Sequence, residues 1–156
     1  MIFQLKRPSS LNWKDNDAER VLKYLLNYNS YDYEGDSGHY SLRFRDRGKI
    51  WTSEFEVIEE KILIWGIYPF ECIDPEKGMD FCNSSNLQTV MGAFSVYKAH
   101  LTYRTSADLF DAYSSYECLA RALEYNANVI IHFWSKASEA SSDNKNFSKG
   151  KEDCSS

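Results

Sequence analysis

His39-Tyr40-Ser41-Leu42-Arg43-Phe44-Arg45, followed by Asp46-Arg47-Gly48-Lys49 and then Ile50-Trp51-Thr52-Ser53-Glu54-Phe55-Glu56-Val57, is the stretch whose reading decides the fold. Tyr40, Leu42 and Phe44 alternate with His39, Ser41, Arg43 and Arg45. A period of two marks a strand with one apolar and one polar face. Asp46 to Lys49 supplies turn residues, and Trp51, Phe55 and Val57 resume the apolar face. With Arg47-Gly48 as a two-residue loop, Phe44 stands opposite Trp51 and Tyr40 opposite Phe55. Four aromatics then share one face, and Arg43 lies diagonal to Glu54 on the other. A bulge at Gly48 would divide those pairs between faces, so the two-residue register is expected.

Glu59-Glu60-Lys61 reads as the next turn, leading into a third strand, Ile62-Leu63-Ile64-Trp65-Gly66-Ile67-Tyr68. This strand is apolar on both faces, the pattern of a central strand covered on both sides. Its neighbours, however, offer Arg43, Arg45, Glu54 and Glu56 on their second face. Leu63, Trp65 and Ile67 therefore need a cover, which is either the second helix or a loop, or a partner chain. These three residues, with the exposed side of the second helix, form the candidate protein interface.

Working outward, Asn16 and Glu19 make a capping box ahead of a helix with the stripe Ala18, Val21, Leu22, Leu25 and Leu26. Asn29 to Gly38 ends it with turn formers. Tyr24, Tyr28, Tyr31 and Tyr33 read as aromatics of helix ends and covered loops, although such residues are also enriched at interfaces. Asp74-Pro75-Glu76 opens a second helix by cap, proline and dipole. That helix is weak, with Gly78 early and Asn83-Ser84-Ser85-Asn86 late, and is expected to end before a left-handed exit at Gly92. Ala93–Tyr97 and Leu101–Thr105 read as the last two strands, joined by Lys98-Ala99-His100, which is poor turn chemistry. Ser114 and Glu117 cap a third helix carrying Leu119, Ala120, Leu123, Ala127, Ile130, Ile131 and Trp134.

The order α-β-β-β-α-β-β-α, with pairing mostly between sequence neighbours, implies an α+β fold: an antiparallel five-stranded sheet with flanking helices on one face. Residues 1–135 make one domain, and 136–156 read as a disordered polar tail. The chain has 156 residues, of which 43% are hydrophobic, and a net charge of -5. An acidic surface does not suit a phosphate backbone, so nucleic acid is not an expected partner. The N-terminus has no run suited to a signal, and Ile62 to Phe70 is too short to span a bilayer. The expected compartment is cytoplasmic. Cys72, Cys82, Cys118 and Cys154 show no metal-ligand spacing. The first three read as buried free thiols, and Cys154 as an exposed one.

Ile73-Asp74-Pro75-Glu76-Lys77, the pair Asn83 and Asn86, Gly92-Ala93-Phe94-Ser95-Val96 and Leu101-Thr102-Tyr103-Arg104-Thr105 follow one another in an order that resembles the YbjN family of bacterial sensory-transduction regulators. That family shares its fold with type III secretion chaperones. The resemblance spans Asn16 to Trp134 and implies a dimerising, non-catalytic domain that binds protein segments or acts as a regulator. It carries no active-site residue. Gly78 and the missing turn between the last two strands depart from it.

A search for chemistry finds no constellation of nucleophile, base and orienting group. His39, His100 and His132 are scattered, with His132 suited to a helix C-terminus. Glu54, Glu56, Glu59 and Glu60 read as a solvated face, with no calcium loop. Gly35 and Gly38 precede a strand and cradle no phosphate. No cofactor or metal is expected. The expectation is therefore a homodimer, or a module for a protein or peptide client. The alternatives are an acidic immunity-type inhibitor and an enzyme of unrecognised type.

Overall fold

The hairpin register is the one the aromatic pairs require. Phe44 pairs with Trp51 and Tyr40 with Phe55, leaving Arg47 and Gly48 in the loop. Both loop residues are left-handed, with φ of 50° and 81°, the turn whose twist matches two antiparallel strands. Ser37-Gly38 and Lys98-Ala99 close two further hairpins in the same way. Lys98 and Ala99 have φ of 49° and 66°, which costs a residue with a Cβ about 1 kcal/mol. The pairing of the flanking strands holds them there. Turn chemistry in the sequence gives no sign of it.

The computed structural model describes residues 3–9 and 13–142. Among them the order is α1 (Ala18–Tyr28), β1 (Glu34–Asp36), β2 (His39–Asp46), β3 (Lys49–Ile58), β4 (Lys61–Glu71), α2 (Pro75–Asn86), β5 (Ala93–Tyr97), β6 (His100–Asp108), α3 (Ser115–His132) and α4 (Trp134–Ser141). The strands form one antiparallel sheet in the order β1-β2-β3-β4-β6-β5. The fold is α+β, as expected, with three corrections to its count and order.

The sheet has six strands instead of five. β1 is three exposed residues with no apolar member, so no periodicity betrays it. β6, not β5, pairs with β4, because the longer β6 buries Leu101, Tyr103, Thr105 and Ala107 and the short β5 takes the edge. The third correction is α4, which occupies residues assigned to the tail. It buries Ala137 and Ser141 and meets α2 through Lys77, whose Nζ donates to the carbonyls of Glu139 and Ser142. Residues 143–156, with Cys154, lie outside the described residues. Two smaller corrections concern helix ends. Asp17, not Asn16, caps α1 by accepting from the Arg20 amide at 3.1 Å. α2 ends at Asn86, before Gly92 as expected, and Gly92 is left-handed with φ of 70°, but Leu87 caps the helix and Gly92 leads into β5.

All four helices among the described residues lie on one side of the sheet. α3 crosses it over β4 and β6, passing Gly66, whose cross-strand partner on β3 is the small Ser53. A Cβ on Gly66 would stand 2.5 Å from Asn126 Oδ1 and 2.8 Å from Ile130 Cγ1. Asn126 fills that notch, its amide donating to the carbonyls of Ile64 and Tyr103 at 3.2 and 3.0 Å and to Thr105 Oγ1. Tyr68 reaches up from β4 to donate to the Ile130 carbonyl. Gly78 does similar work in α2, where a Cβ would meet Cys72 Sγ at 2.6 Å. The glycine that departs from the family resemblance is thus what lets α2 lie against β5. Asn86 at the end of that helix accepts from the Phe94 amide and donates to the Phe94 carbonyl. It occupies hydrogen-bonding positions on the open edge of β5 that another strand would otherwise use.

The N-terminal segment joins the same layer. Phe3 sets its ring 5.3 Å from Phe44 and exchanges two hydrogen bonds with the Asn128 amide. Arg7 grips Glu124 with two bonds of 2.7 and 2.8 Å and reaches Glu117 at 2.6 Å, while the Leu5 amide donates to Glu124. Burial works against the charge of Glu124, whose side chain is 7% exposed. The Arg7 and Leu5 hydrogen bonds and the attraction of Arg7 and Arg121 outweigh it and hold the carboxyl below its ordinary range.

Two predictions follow from these contacts. Gly66→Ala forces Asn126 or Ile130 to move and destabilises the fold by about 1–3 kcal/mol. Gly48→Ala, with open space around it, loses only about 1 kcal/mol through its left-handed backbone. Urea unfolding of the two variants checks the difference. Glu124→Gln lowers stability at neutral pH by about 2–3 kcal/mol. Because the folded carboxyl titrates below its unfolded value, its contribution is complete above about pH 4.3 and fades as pH falls from there through the lowered folded value. The gap between variant and wild type should therefore close in acid, as read by unfolding midpoints across pH.

Candidate functional site

With every described helix on one side, the reverse face of the sheet carries none. β4 alternates across the two: Ile62, Ile64 and Tyr68 are fully buried beneath the helices, whereas Leu63, Trp65 and Ile67 point to the bare side and stay half-buried. Among the described residues the second helix lies on the other side of the sheet, and these three side chains remain partly open. The exposed side of α2, the other part of the expected interface, is on the far side of the sheet, since α2 packs by Phe81 on Phe94 of the helix-covered face. The structure therefore keeps Leu63, Trp65 and Ile67 together and separates them from α2.

The strand register sets what surrounds these residues. Glu34, Ser41, Glu54, Trp65, Arg104 and Ala93 form one row across all six strands. The row toward the β3–β4 turn carries Asp36, His39, Glu56, Leu63 and Ser106. The row on the other side carries Arg43, Thr52, Ile67, Thr102 and Ser95. Arg45 and Ile50 continue beyond it, toward the Arg47-Gly48 and Lys98-Ala99 turns. Carboxylates thus predominate toward the β3–β4 turn and Arg43 and Arg45 toward the opposite end, while the apolar band of Leu63, Trp65 and Ile67 runs along β4 through all three rows. Pro69, which has no amide to give, sits where the β4–β6 register shifts between Ile67 and Glu71.

Two shallow depressions mark this face. One, of about 550 Å3, is lined by Glu34, His39, Glu54, Glu56, Trp65 and Tyr97. The other, of about 770 Å3, includes Arg43, Ile50, Ile67, Pro69, Tyr97 and His100 and extends to Trp134 of α4. Glu54 and Tyr97 line both. The sequence reading missed Ile50, Pro69 and Tyr97. Ile50 had a signal, an apolar residue in the polar register of β3. Tyr97 had none, because only the β5–β6 pairing places it.

Charge use differs between the two sides. Arg7, Arg20, Lys23 and Arg121 are each ion-paired on the helical side. Among the described residues, no ion pair joins Glu34, Glu54, Glu56, Arg43, Arg45 or Arg104, and the Arg43–Glu54 diagonal is not closed within 4.0 Å.

The remaining titratable groups take structural places. His100 sets Nδ1 2.8 Å from the Tyr68 carbonyl, His39 is exposed on the bare face, and His132 ends α3. Cys72, Cys82 and Cys118 are free, the first two buried and the third half-buried. Burial pushes the Cys82 thiol up to about 11 and raises the other two, which keeps all three protonated at neutral pH. Burial likewise raises Tyr68 and Tyr103. Tyr24 and Tyr28 stack on each other and both meet Tyr116 edge-on; Tyr31 meets Phe44, and Tyr33 meets Tyr40. Among the described residues no group of three or more His, Cys, Asp or Glu is placed to hold a metal ion. No described helix is long and apolar enough to cross a membrane.

No family model matches the chain, and no curated protein or solved structure does.

The two faces of β4 should respond differently to substitution. Ile64→Ala, beneath α3, costs about 2–5 kcal/mol. Trp65→Thr, on the bare face, keeps strand propensity and costs less than about 1 kcal/mol. Urea denaturation of both variants measures the contrast, and a loss at Trp65 as large as that at Ile64 would mean the bare face is covered in the isolated chain.

Proposed function

We propose that this chain is a non-catalytic protein-binding module of the regulator or chaperone type, resembling the YbjN regulators, and that it binds through the uncovered face of its sheet. The observation that carries the reading is β4. A strand with Ile62, Ile64 and Tyr68 fully buried on one side presents Leu63, Trp65 and Ile67 on the other with no described helix over them. Apolar side chains in a contiguous band, rimmed by charge, are the composition of a docking surface. The unpaired charges around the band support this, because ion pairs across an interface set orientation and encounter rate.

The distribution of those charges favours a second copy as one partner. Turning one sheet end for end over another brings Glu34, Asp36 and Glu56 of each copy toward Arg43 and Arg45 of the other, the self-complementary arrangement of a two-fold dimer. Sedimentation across a range of protein and salt concentration tests it. The wild type should self-associate, more weakly in high salt, and Trp65→Asp should be a folded monomer. A wild type that stays monomeric throughout removes the dimer. If Trp65→Asp also retains every partner captured by the wild type, the face itself is removed as the binding surface.

A further inference from the structure

Resting on that reading of the bare face, we propose that the depression beside Trp65 is a subsite for the cationic head of a lysine or arginine side chain, presented by a segment of a partner protein. Three features converge there. Glu34 and Glu54 lie in the same cross-strand row as Trp65, and Glu56 lies in the next row, opposite Leu63. All three carboxylates line the depression of about 550 Å3 together with Trp65 and Tyr97. None of the three is in an ion pair among the described residues.

The aromatic component separates this from a merely acidic surface. An indole face attracts a cation through its quadrupole, and more strongly where the cation is partly desolvated. Among the described residues four rings already carry a lysine, two of them, Tyr40 and Tyr97, lining this depression: Lys14 lies 6.0 Å from Phe110, Lys23 5.6 Å from Tyr40, Lys98 5.1 Å from Tyr97 and Lys136 5.9 Å from Phe133. Among the described residues no cation is seated over Trp65. Tyr97 therefore serves as an apolar wall, its own cation being Lys98, and the indole is the ring left for a ligand.

The chain's own basic groups on this face, Lys61, Arg43, Arg45, Lys98 and Arg104, form no ion pair with Glu34, Glu54 or Glu56 among the described residues. Arg104 stands directly opposite Trp65 on β6 and Arg43 one row away on β2. Both are exposed, and neither closes a bridge to Glu54. His39 lies on the acidic rim. Charge complementarity thus commits the occupant: a cationic side chain with an aliphatic stem, which lies along the apolar band while its head meets the carboxylates. An acidic segment would meet three carboxylates at the same place.

The test is a titration of the full chain, followed by amide and indole NMR, with the peptide acetyl-Gly-Arg-Gly-Arg-Gly-amide and its citrulline counterpart, which keeps the shape and removes the charge. The arginine peptide should shift the Trp65 indole and the amides around Glu54 and Glu56, and the citrulline peptide should bind about tenfold more weakly. Glu54→Gln and Glu56→Gln, both on the solvent face, should each weaken the arginine peptide severalfold while leaving the rest of the spectrum in place. Equal binding of the two peptides, shifts centred away from Trp65, or no shift with either overturns the subsite. Those failures are distinct from failure of the docking face, because self-association or partner capture that is lost in Trp65→Asp would persist without a cation-specific pocket.

Discussion

Helix α3 can lie flat on the sheet because nothing rises beneath it at Gly66. That notch accepts Asn126, whose amide reaches across β4 and β6 to two strand carbonyls and the Thr105 hydroxyl. A side chain at Gly66 would lift the helix away from Ile62, Ile64 and Tyr68, all of which it helps to bury completely. The remaining layer depends on that seating. α1 packs beside α3, α4 continues from it, and the Arg7 strap is anchored on its Glu117 and Glu124. Buried polar groups stabilise to the degree that they are engaged: the Asn126 amide nitrogen has three acceptors in reach, whereas its Oδ1 is buried with no hydrogen-bond partner among the described residues.

One consequence is an asymmetric sheet. The helices gather the aromatic face of β2 and β3 and the even-numbered face of β4 into one core, and no described helix is left for the reverse side. Most sheets in this situation turn a polar face to water. Here β2 and β3 do so, and β4 does not. The bare side of β4 is therefore where local sequence and monomeric fold disagree, and disagreements of that kind concentrate where a protein does its work. Arg7, Arg20, Lys23 and Arg121 are ion-paired on the helical side, whereas Glu34, Glu54, Glu56, Arg43 and Arg104 are in no ion pair among the described residues.

Much of the architecture is legible from local rules. The two-residue hairpin, the stripes of α1 and α3, and the caps at Asp74 and Ser114 follow from period and side-chain chemistry. The segments that were not legible are short or conformationally costly. β1 has three residues and no apolar member. After Trp134, which packs on Trp51, Tyr68 and Phe70, α4 offers the core only alanine and serine among polar residues, so composition makes it look like a tail. The Lys98-Ala99 turn uses two left-handed residues that no turn preference would select. Each is held by contacts distant in sequence, and propensity cannot report those.

The sequence by itself determined that Leu63, Trp65 and Ile67 share a face and that this face conflicts with its charged neighbours, because a strand's alternation is a property of the backbone. Only the tertiary structure decided that the conflict goes unresolved within the described chain. That outcome depends on which side of the sheet four helices choose. Their choice follows from the Gly66 notch, the Gly78 contact and the seating of Phe3, all of which are contacts between segments far apart in the chain. The same holds for the pocket beside Trp65. Glu54 and Glu56 are visible in the sequence on one strand, but Glu34 lies in a stretch that reads as a loop, and only the register of β1 through β4 brings all three around one indole.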